Sequence, residues 1–285
     1  MAKPTVPREV QVLFPDQAKA YMDSNEEGTY TLLDVRQPFE YEEAHLPGAK
    51  LIPLPALADS LESLNPRRPI LVYCAVGGRS RMAAQLLSNH GFETVYQLQG
   101  GIDAWGAPTA SGPVAFHLKF VKGDEPPHQV IGIAYQMEEG LRKLHQQILS
   151  RTIETNLRSL LTQLIKAEES HQQTLVKLLE KVTPGGIAKE SVIASLLASD
   201  EELIEGGIDV AAFMHQNERF LQTVSGYLEL TMMIEAQALD LYLRMGNESR
   251  NPVTQEVLLQ ISEEEKGHLM MLGRYLERRS QEQPA

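Results

Sequence analysis

Two regimes of apolar spacing divide the chain. Between Val10 and Pro108, short apolar runs alternate with helical stretches, the pattern of successive α/β units. Residues 31–35, 69–73 and 94–98 read as strands, and helices are predicted at 16–24, 39–44, around 56–61 and at 79–90. The expected architecture is a mostly parallel sheet covered by helices on both faces.

From residue 128 the apolar period changes to three and four residues. Four long helices are predicted, at about 128–150, 152–182, 217–245 and 253–279, and they would form an antiparallel all-α four-helix bundle. Pro108, Gly112, Pro113, Gly123, Pro126 and Pro127 punctuate the stretch between the two regimes. The expected domains are therefore 1–110 and 128–285, joined by a linker at 111–127. Within that linker Val114, Phe116, Leu118 and Phe120 alternate with other residues and predict one packed strand. A long connection after residue 182 carries a predicted short helix at 189–198 and a break at Gly206 and Gly207.

The helical stripes are interrupted by charge. Leu157, Leu161, Leu164, Glu168, His171, Leu175, Leu178 and Val182 share one helix face. An ionised Glu there costs several kcal/mol, roughly, unless something neutralises it. The same Glu-x-x-His returns 97 residues later as Glu265 and His268. Glu138 stands 30 residues before Glu168, and Glu235 stands 30 before Glu265, so all six positions fit one duplicated helix hairpin. Glu-x-x-His alone is weak, since Glu42–His45 and Glu125–His128 share the spacing; the common offset is the specific signal. In an antiparallel bundle, one Glu from each of two helices and a Glu-x-x-His from each of the others converge as a dinuclear carboxylate site. Oxygen-rich ligands with two imidazoles suit iron or manganese, and four glutamates balance two divalent ions. His145 and Tyr242 occupy matching positions and are read as packing or supporting groups. Met232, Met233, Met270 and Met271 are read as bundle filling. His90, His117 and His215 have no site to join.

Composition narrows the setting. With 26 Lys+Arg against 38 Asp+Glu, the formal charge is −12, which argues against nucleic acid or an anionic membrane as the main partner. No apolar run is long enough to span a bilayer and the first residues lack a signal-type apolar segment, so a cytoplasmic location is expected. The single cysteine, Cys74, excludes an intrachain disulfide and an all-cysteine metal site. It follows a buried-type strand and precedes Ala75-Val76-Gly77-Gly78-Arg79-Ser80, a glycine-bearing loop running into a helix. Backbone amides and a helix N-terminus there favour a thiolate, and a reachable thiolate is a nucleophile.

Four ordered motifs carry a resemblance: Leu33-Asp34-Val35-Arg36, His45-Leu46-Pro47-Gly48-Ala49, Tyr73-Cys74 with its loop through Ser80, and Gly100-Gly101-Ile102-Asp103-Ala104-Trp105. Over about the first 110 residues the chain resembles single-domain rhodaneses. The resemblance implies a sulfurtransferase in which Cys74 takes a sulfane sulfur from a small-molecule donor such as thiosulfate and passes it to a thiol or other thiophilic acceptor. It further implies that the loop residues Ala75, Val76, Gly77, Gly78 and Ser80 cradle the persulfide and that Arg79 contacts an anionic donor. Asp34, Arg36 and His45 are read as framework, Trp105 as a packing anchor. A cysteine phosphatase uses Cys-x5-Arg; the spacing from Cys74 to Arg79 is one residue shorter, which suits a sulfur better than a phosphoryl group.

The helical half resembles the rubrerythrin and bacterioferritin branch of the ferritin-like superfamily. That resemblance implies two iron ions, with manganese as the alternative. Glu168 and Glu265 would bridge, Glu138 and Glu235 would be terminal, and His171 and His268 would bind one ion each. A four-cysteine iron centre is missing and Ala238 replaces an extra Glu of rubrerythrin, so an external electron donor is implied. The combined expectation is a sulfurtransferase coupled to a di-iron domain reacting with peroxide or oxygen, in a homo-oligomer, a dimer by expectation. The rival is an iron-storage or metal-sensing bundle whose rhodanese-like half docks a partner.

Overall fold

The computed structural model describes residues 9–183, 203–204 and 208–282. The chain divides into two compact units, Met1–Phe116 and His117–Ala285. The expected helix at 189–198 and the Gly206-Gly207 break lie outside the described residues.

The first unit is built on five parallel strands, β1 (Gln11–Leu13), β2 (Thr31–Asp34), β3 (Lys50–Leu51), β4 (Ile70–Tyr73) and β5 (Val95–Leu98), in the order β1-β5-β4-β2-β3. Alternate side chains of β2 and β4 enter two separate cores. Leu33, Ile70 and Val72 pack with Ala83, Ala84 and Leu87 of helix α3 (Gly78–Asn89). Leu32, Leu71 and Tyr73 pack with Ala18 of α1 (Pro15–Ser24) and Tyr41 of α2 (Pro38–Glu43). Burial on both faces explains why β4 is apolar throughout rather than alternating. The expected helix near 56–61 is instead two 3-10 stretches, Leu54–Ala56 and Ala58–Ser63. Pro55 and Pro53 supply the fixed φ but remove backbone donors, which favours short turns. Strands β1 and β3 were not predicted: they have three and two residues, too short to show a period.

The expected strand through Val114–Phe120 is absent. Residues Phe116–Lys119 form a 3-10 turn, with the Phe116 amide bonded to the Pro113 carbonyl. A single bridge pairs His45 with Ala110 instead.

The second unit is helical. Helices α4 (Pro127–Arg151) and α5 (Thr155–Val182) form one hairpin; α7 (Val224–Glu248) and α8 (Pro252–Glu282) form another, and α6 (Val210–Asn217) precedes it. Their starts follow from local chemistry. Pro127 and Pro252 stand at first helical positions. The Glu154 carboxylate accepts from the amides of Asn156 and Leu157, and Asn251 Oδ1 accepts from Val253 at 3.0 Å. Thr223 caps α7, so the helix expected from 217 begins at Val224, with a 3-10 turn at Phe220–Gln222 before it. Leu141, Leu161, Leu164, Leu228 and Ile234 share one core. Burying each such side chain contributes about 1.5–3 kcal/mol. The methionine expectation is corrected: Met232 is buried, whereas Met233 and Met271 are exposed. Adjacent residues lie about 100° apart on a helix, so Met232 and Met233 cannot both face the core. No described helix is long and apolar enough to cross a membrane.

Candidate functional site

Cys74 stands at the carboxyl end of β4, where a parallel sheet gathers its functional groups. Contrary to the expectation of a reachable thiolate, its side chain is 1% exposed. The strand delivers it into the core shared with Ala83 and Ala84, and the loop closes over it. Sγ accepts from the Gly77 amide at 3.1 Å and the Ser80 amide at 3.4 Å, and lies 3.5 Å from Ser80 Oγ. The Cys74 and Ala75 carbonyls are held from outside by the amides of Ile102 (2.9 Å) and Asp103 (3.1 Å). The loop thereby shows donors to the sulfur and acceptors to its support.

Two glycines permit this geometry. Gly77 has φ +102°, a conformation L side chains rarely adopt. A Cβ on Gly101 would lie 2.2 Å from the carbonyl oxygens of both Cys74 and Ala75. Ser80 is fixed in turn, Oγ donating to the Gly77 carbonyl (3.1 Å) and accepting from Gln97 Nε2 (3.3 Å). Val76 and Gly78 are exposed and Ala75 and Arg79 half-buried, while the buried Gly77 and Ser80 touch the sulfur.

Arg79 does not stand free to meet an anion. Its guanidinium makes two parallel hydrogen bonds of 2.6 Å to Glu40, whose Oε2 also accepts from the Gln37 amide at 2.9 Å at the start of α2. The Arg79 hydrogen bonds, working against partial burial, hold the Glu40 carboxyl at about 2. Glu40 was not singled out from sequence. Asp34 and Arg36 form a buried pair at 2.7 Å, and Arg36 donates to the Ala44 carbonyl at 2.6 Å, as framework residues would. His45 stacks on Tyr41 at 3.8 Å and is buried. Trp105 packs among Leu46, Leu71 and Leu98.

In the helical unit the four acids are buried, each 1–2% exposed. They form two triads, Glu138 with Glu168 and His171, and Glu235 with Glu265 and His268; within each, ligand-type atoms lie within 4.8 Å of one another. The imidazoles of His171 and His268 stack at 3.5 Å with planes 8° apart, so the triads adjoin. His171 Nδ1 lies 3.4 Å from Glu138 and 3.5 Å from Glu168. His268 Nδ1 lies 3.3 Å from Glu235 and 3.2 Å from Glu265. Glu168 Oε2 and His171 Nδ1 are buried without a hydrogen bond of normal geometry. Such atoms ask for a cation, and each triad has the donor set to hold one.

The electrostatics of the two halves differ. Burial raises the Glu168 carboxyl, but hydrogen bonds from His145 and His171 outweigh it and the net shift is downward. Burial pushes Glu265 up to about 8 despite its hydrogen bond to His268. Burial opposes a charged His268, yet the Glu235 charge and hydrogen bonds to Glu235 and Glu265 raise it to about 12. Two residues escaped the spacing argument or were undervalued by it. Glu264, whose carboxyl is raised by burial against the opposing fields of His171 and His268, adds a fifth acid near the stacked rings. His145, fully buried, reaches Glu168 directly.

Comparison with known proteins places the first unit. Residues 14–108 match the Rhodanese-like domain family. Over 78 residues the chain is 45% identical to the Rhodanese-like/PpiC domain-containing protein 12, chloroplastic, of Arabidopsis thaliana, covering 26% of each. Over 75 residues it is 40% identical to Uncharacterized protein YqhL of Bacillus subtilis (strain 168), covering 26% of this chain and 60% of that one. It thus spans about a quarter of the first relative's length and about three-fifths of the second's. Among solved structures, a rhodanese-like domain protein from Staphylococcus aureus is 30% identical over 34% of this chain and 91% of that one, with a TM-score of 0.31. A rhodanese-related protein from Thermoplasma volcanium is 29% identical over 35% and 97%, with a TM-score of 0.32. The family match, on the segment that holds the parallel sheet and the Cys74 loop, makes residues 14–108 a rhodanese-like domain, followed in this chain by a helical C-terminal region.

Proposed function

We propose that the first unit is a sulfurtransferase working through Cys74. The carrying observation is that two loop amides converge on Sγ, at 3.1 and 3.4 Å. The Cys74 thiolate attacks the outer sulfur of thiosulfate or a similar sulfane donor; the donor S–S bond breaks, sulfite leaves with the bonding pair, and the cysteine carries a persulfide. A thiol or other thiophilic acceptor then attacks the terminal sulfur and the Cys74 thiolate leaves. The Gly77 and Ser80 amides stabilise negative charge on sulfur through both steps. Sγ is buried, so the donor must approach it from the side of the loop on which Val76 and Gly78 are exposed. Wild type should turn over thiosulfate with cyanide and Cys74→Ser should not; equal rates would sink the proposal.

For the helical unit we propose a ferritin-like four-helix bundle with a dinuclear non-haem metal site. Two buried triads of ligand-type side chains, the first of them with Glu168 Oε2 and His171 Nδ1 lacking a hydrogen bond of normal geometry, support this reading. Glu138, Glu168 and His171 would hold one ion and Glu235, Glu265 and His268 the other. Iron is the preferred metal and manganese the alternative. Bound iron would supply redox chemistry toward peroxide or oxygen. The residues hold the ligands oriented and keep bulk water out, since all four acids are almost wholly buried. Reducing equivalents come from an external donor, because the lone cysteine leaves no internal thiolate-bound iron centre. Metal analysis of protein grown with iron should give two ions per chain, and a Glu168→Ala, His171→Ala variant that kept both would contradict the ligand set.

A further inference from the structure

The duplicated hairpins are not equivalent around their carboxylates. On one side three groups form a buried chain: Tyr227 Oη lies 2.5 Å from His145 Nδ1, and His145 Nε2 lies 3.3 Å from Glu168 Oε1. His145 and Tyr227 are 0% and 1% exposed, so water does not compete for these bonds. The phenol can donate to Nδ1, which leaves Nε2 to carry a proton and donate it to the carboxylate. The opposite tautomer would set a bare Nε2 against a carboxylate oxygen. One Glu168 oxygen, Oε1, is therefore anchored outward by His145, while Oε2 lies 3.5 Å from His171 Nδ1 and faces its own triad.

The other half lacks these parts. The counterparts 97 residues away are Tyr242 in place of His145 and Val130 in place of Tyr227. The Tyr242 hydroxyl is directed at Met137 Sδ, 3.8 Å away. Among the described residues Glu265 is engaged by His268 and Glu235, members of its own triad. Glu168 likewise meets His171 of its own triad, at 3.5 Å, but it is in addition held from outside the triad by His145.

We infer that Tyr227 and His145 are positioning residues that make the Glu138–Glu168–His171 triad the tighter of two inequivalent cation sites. This rests on the dinuclear reading given above. Folding, rather than the ion, bears the cost of orienting Glu168, and orienting partners of this kind are worth about 10–100-fold in metal affinity.

Metal-stripped full-length protein titrated with Mn²⁺ alone, counting the free ion by its EPR signal, tests this. Two steps are expected, the first at least about tenfold tighter. Tyr227→Phe, which removes one hydroxyl, and His145→Gln should each weaken the tight step by about tenfold or more and leave the weak step unchanged. Tyr242→Phe should preserve the gap. A single step for two equal ions, or a gap unchanged in Tyr227→Phe, would overturn the inference while leaving the dinuclear reading intact. Failure to bind Mn²⁺ at all would overturn both. Far-UV circular dichroism of each variant checks that the helices remain, and Tyr227→Phe decides the matter if His145→Gln does not fold.

Discussion

Arg79 and Glu40, 39 residues apart, meet through two hydrogen bonds of 2.6 Å at the edge of the Cys74 loop. The pair offsets a guanidinium that could attract a dianionic donor to that loop, so the negative charge on Glu40 restrains Arg79. Glu40→Gln should therefore lower KM for thiosulfate with little change in kcat. A partly exposed ion pair is worth about 0.5–1 kcal/mol, which corresponds to roughly two- to fivefold in KM. An unchanged KM would show that Arg79 does not contact the donor.

The same pair gives the first unit an acid-sensitive increment of stability. The Glu40 carboxyl, ordinarily near 4.5, is held at about 2 in the folded protein. Its contribution is fully present above 4.5 and is lost as pH falls from there toward 2. The chain's one tryptophan, Trp105, is buried in this unit and reports its unfolding by fluorescence. The urea midpoint followed at Trp105 should fall between pH 5 and pH 2.5, and Glu40→Gln should flatten that slope, a difference of about 1 kcal/mol.

Gly101→Ala should disable the loop while keeping the Cys74 thiol in the chain. The added methyl meets two backbone carbonyl oxygens at 2.2 Å, and neither is a side chain that can swing away. Sulfurtransferase activity should drop by more than about tenfold, a loss of 1.4 kcal/mol or more in transition-state stabilisation. Metal binding by the helical unit should be unaffected. Near wild-type turnover would mean that the Gly77 and Ser80 amides do not need the support beneath them.

Metal removal should destabilise the helical unit alone. A site that binds the folded state at a hundred times its Kd adds about 2.7 kcal/mol. Chelation should lower the thermal midpoint of the helical circular-dichroism signal and leave the Trp105 transition in place. A midpoint insensitive to chelator would deny the acids a bound ion in the purified protein.

The parts legible in the sequence were those written in one stretch or in a strict repeat. Strand β4 shows as an unbroken apolar run because both faces are covered, and the six acid and imidazole positions show through their shared offset. Strand β1 did not show, because two of its three residues are exposed and carry no pattern. Glu40 was hidden for a different reason: its partner is distant in sequence, and no periodicity links a first-turn glutamate of α2 to an arginine of α3. The Tyr227–His145 contact spans 82 residues and was equally unreadable. The burial of Cys74 was missed because a glycine-bearing loop suggests access, whereas the loop here folds its amides inward over the sulfur.

The stacked rings of His171 and His268 have a geometric meaning of their own. Two residues that correspond under the duplication touch each other, so the pseudo-twofold axis relating the hairpins passes between the imidazoles. Each hairpin alone carries a whole triad yet only one plate of the stack. A lone hairpin of this design could complete the contact only by meeting a second copy of itself, as in an isologous dimer. The tandem chain carries that symmetry within a single polypeptide, and only there could one half acquire a tyrosine and a histidine that the other half lacks.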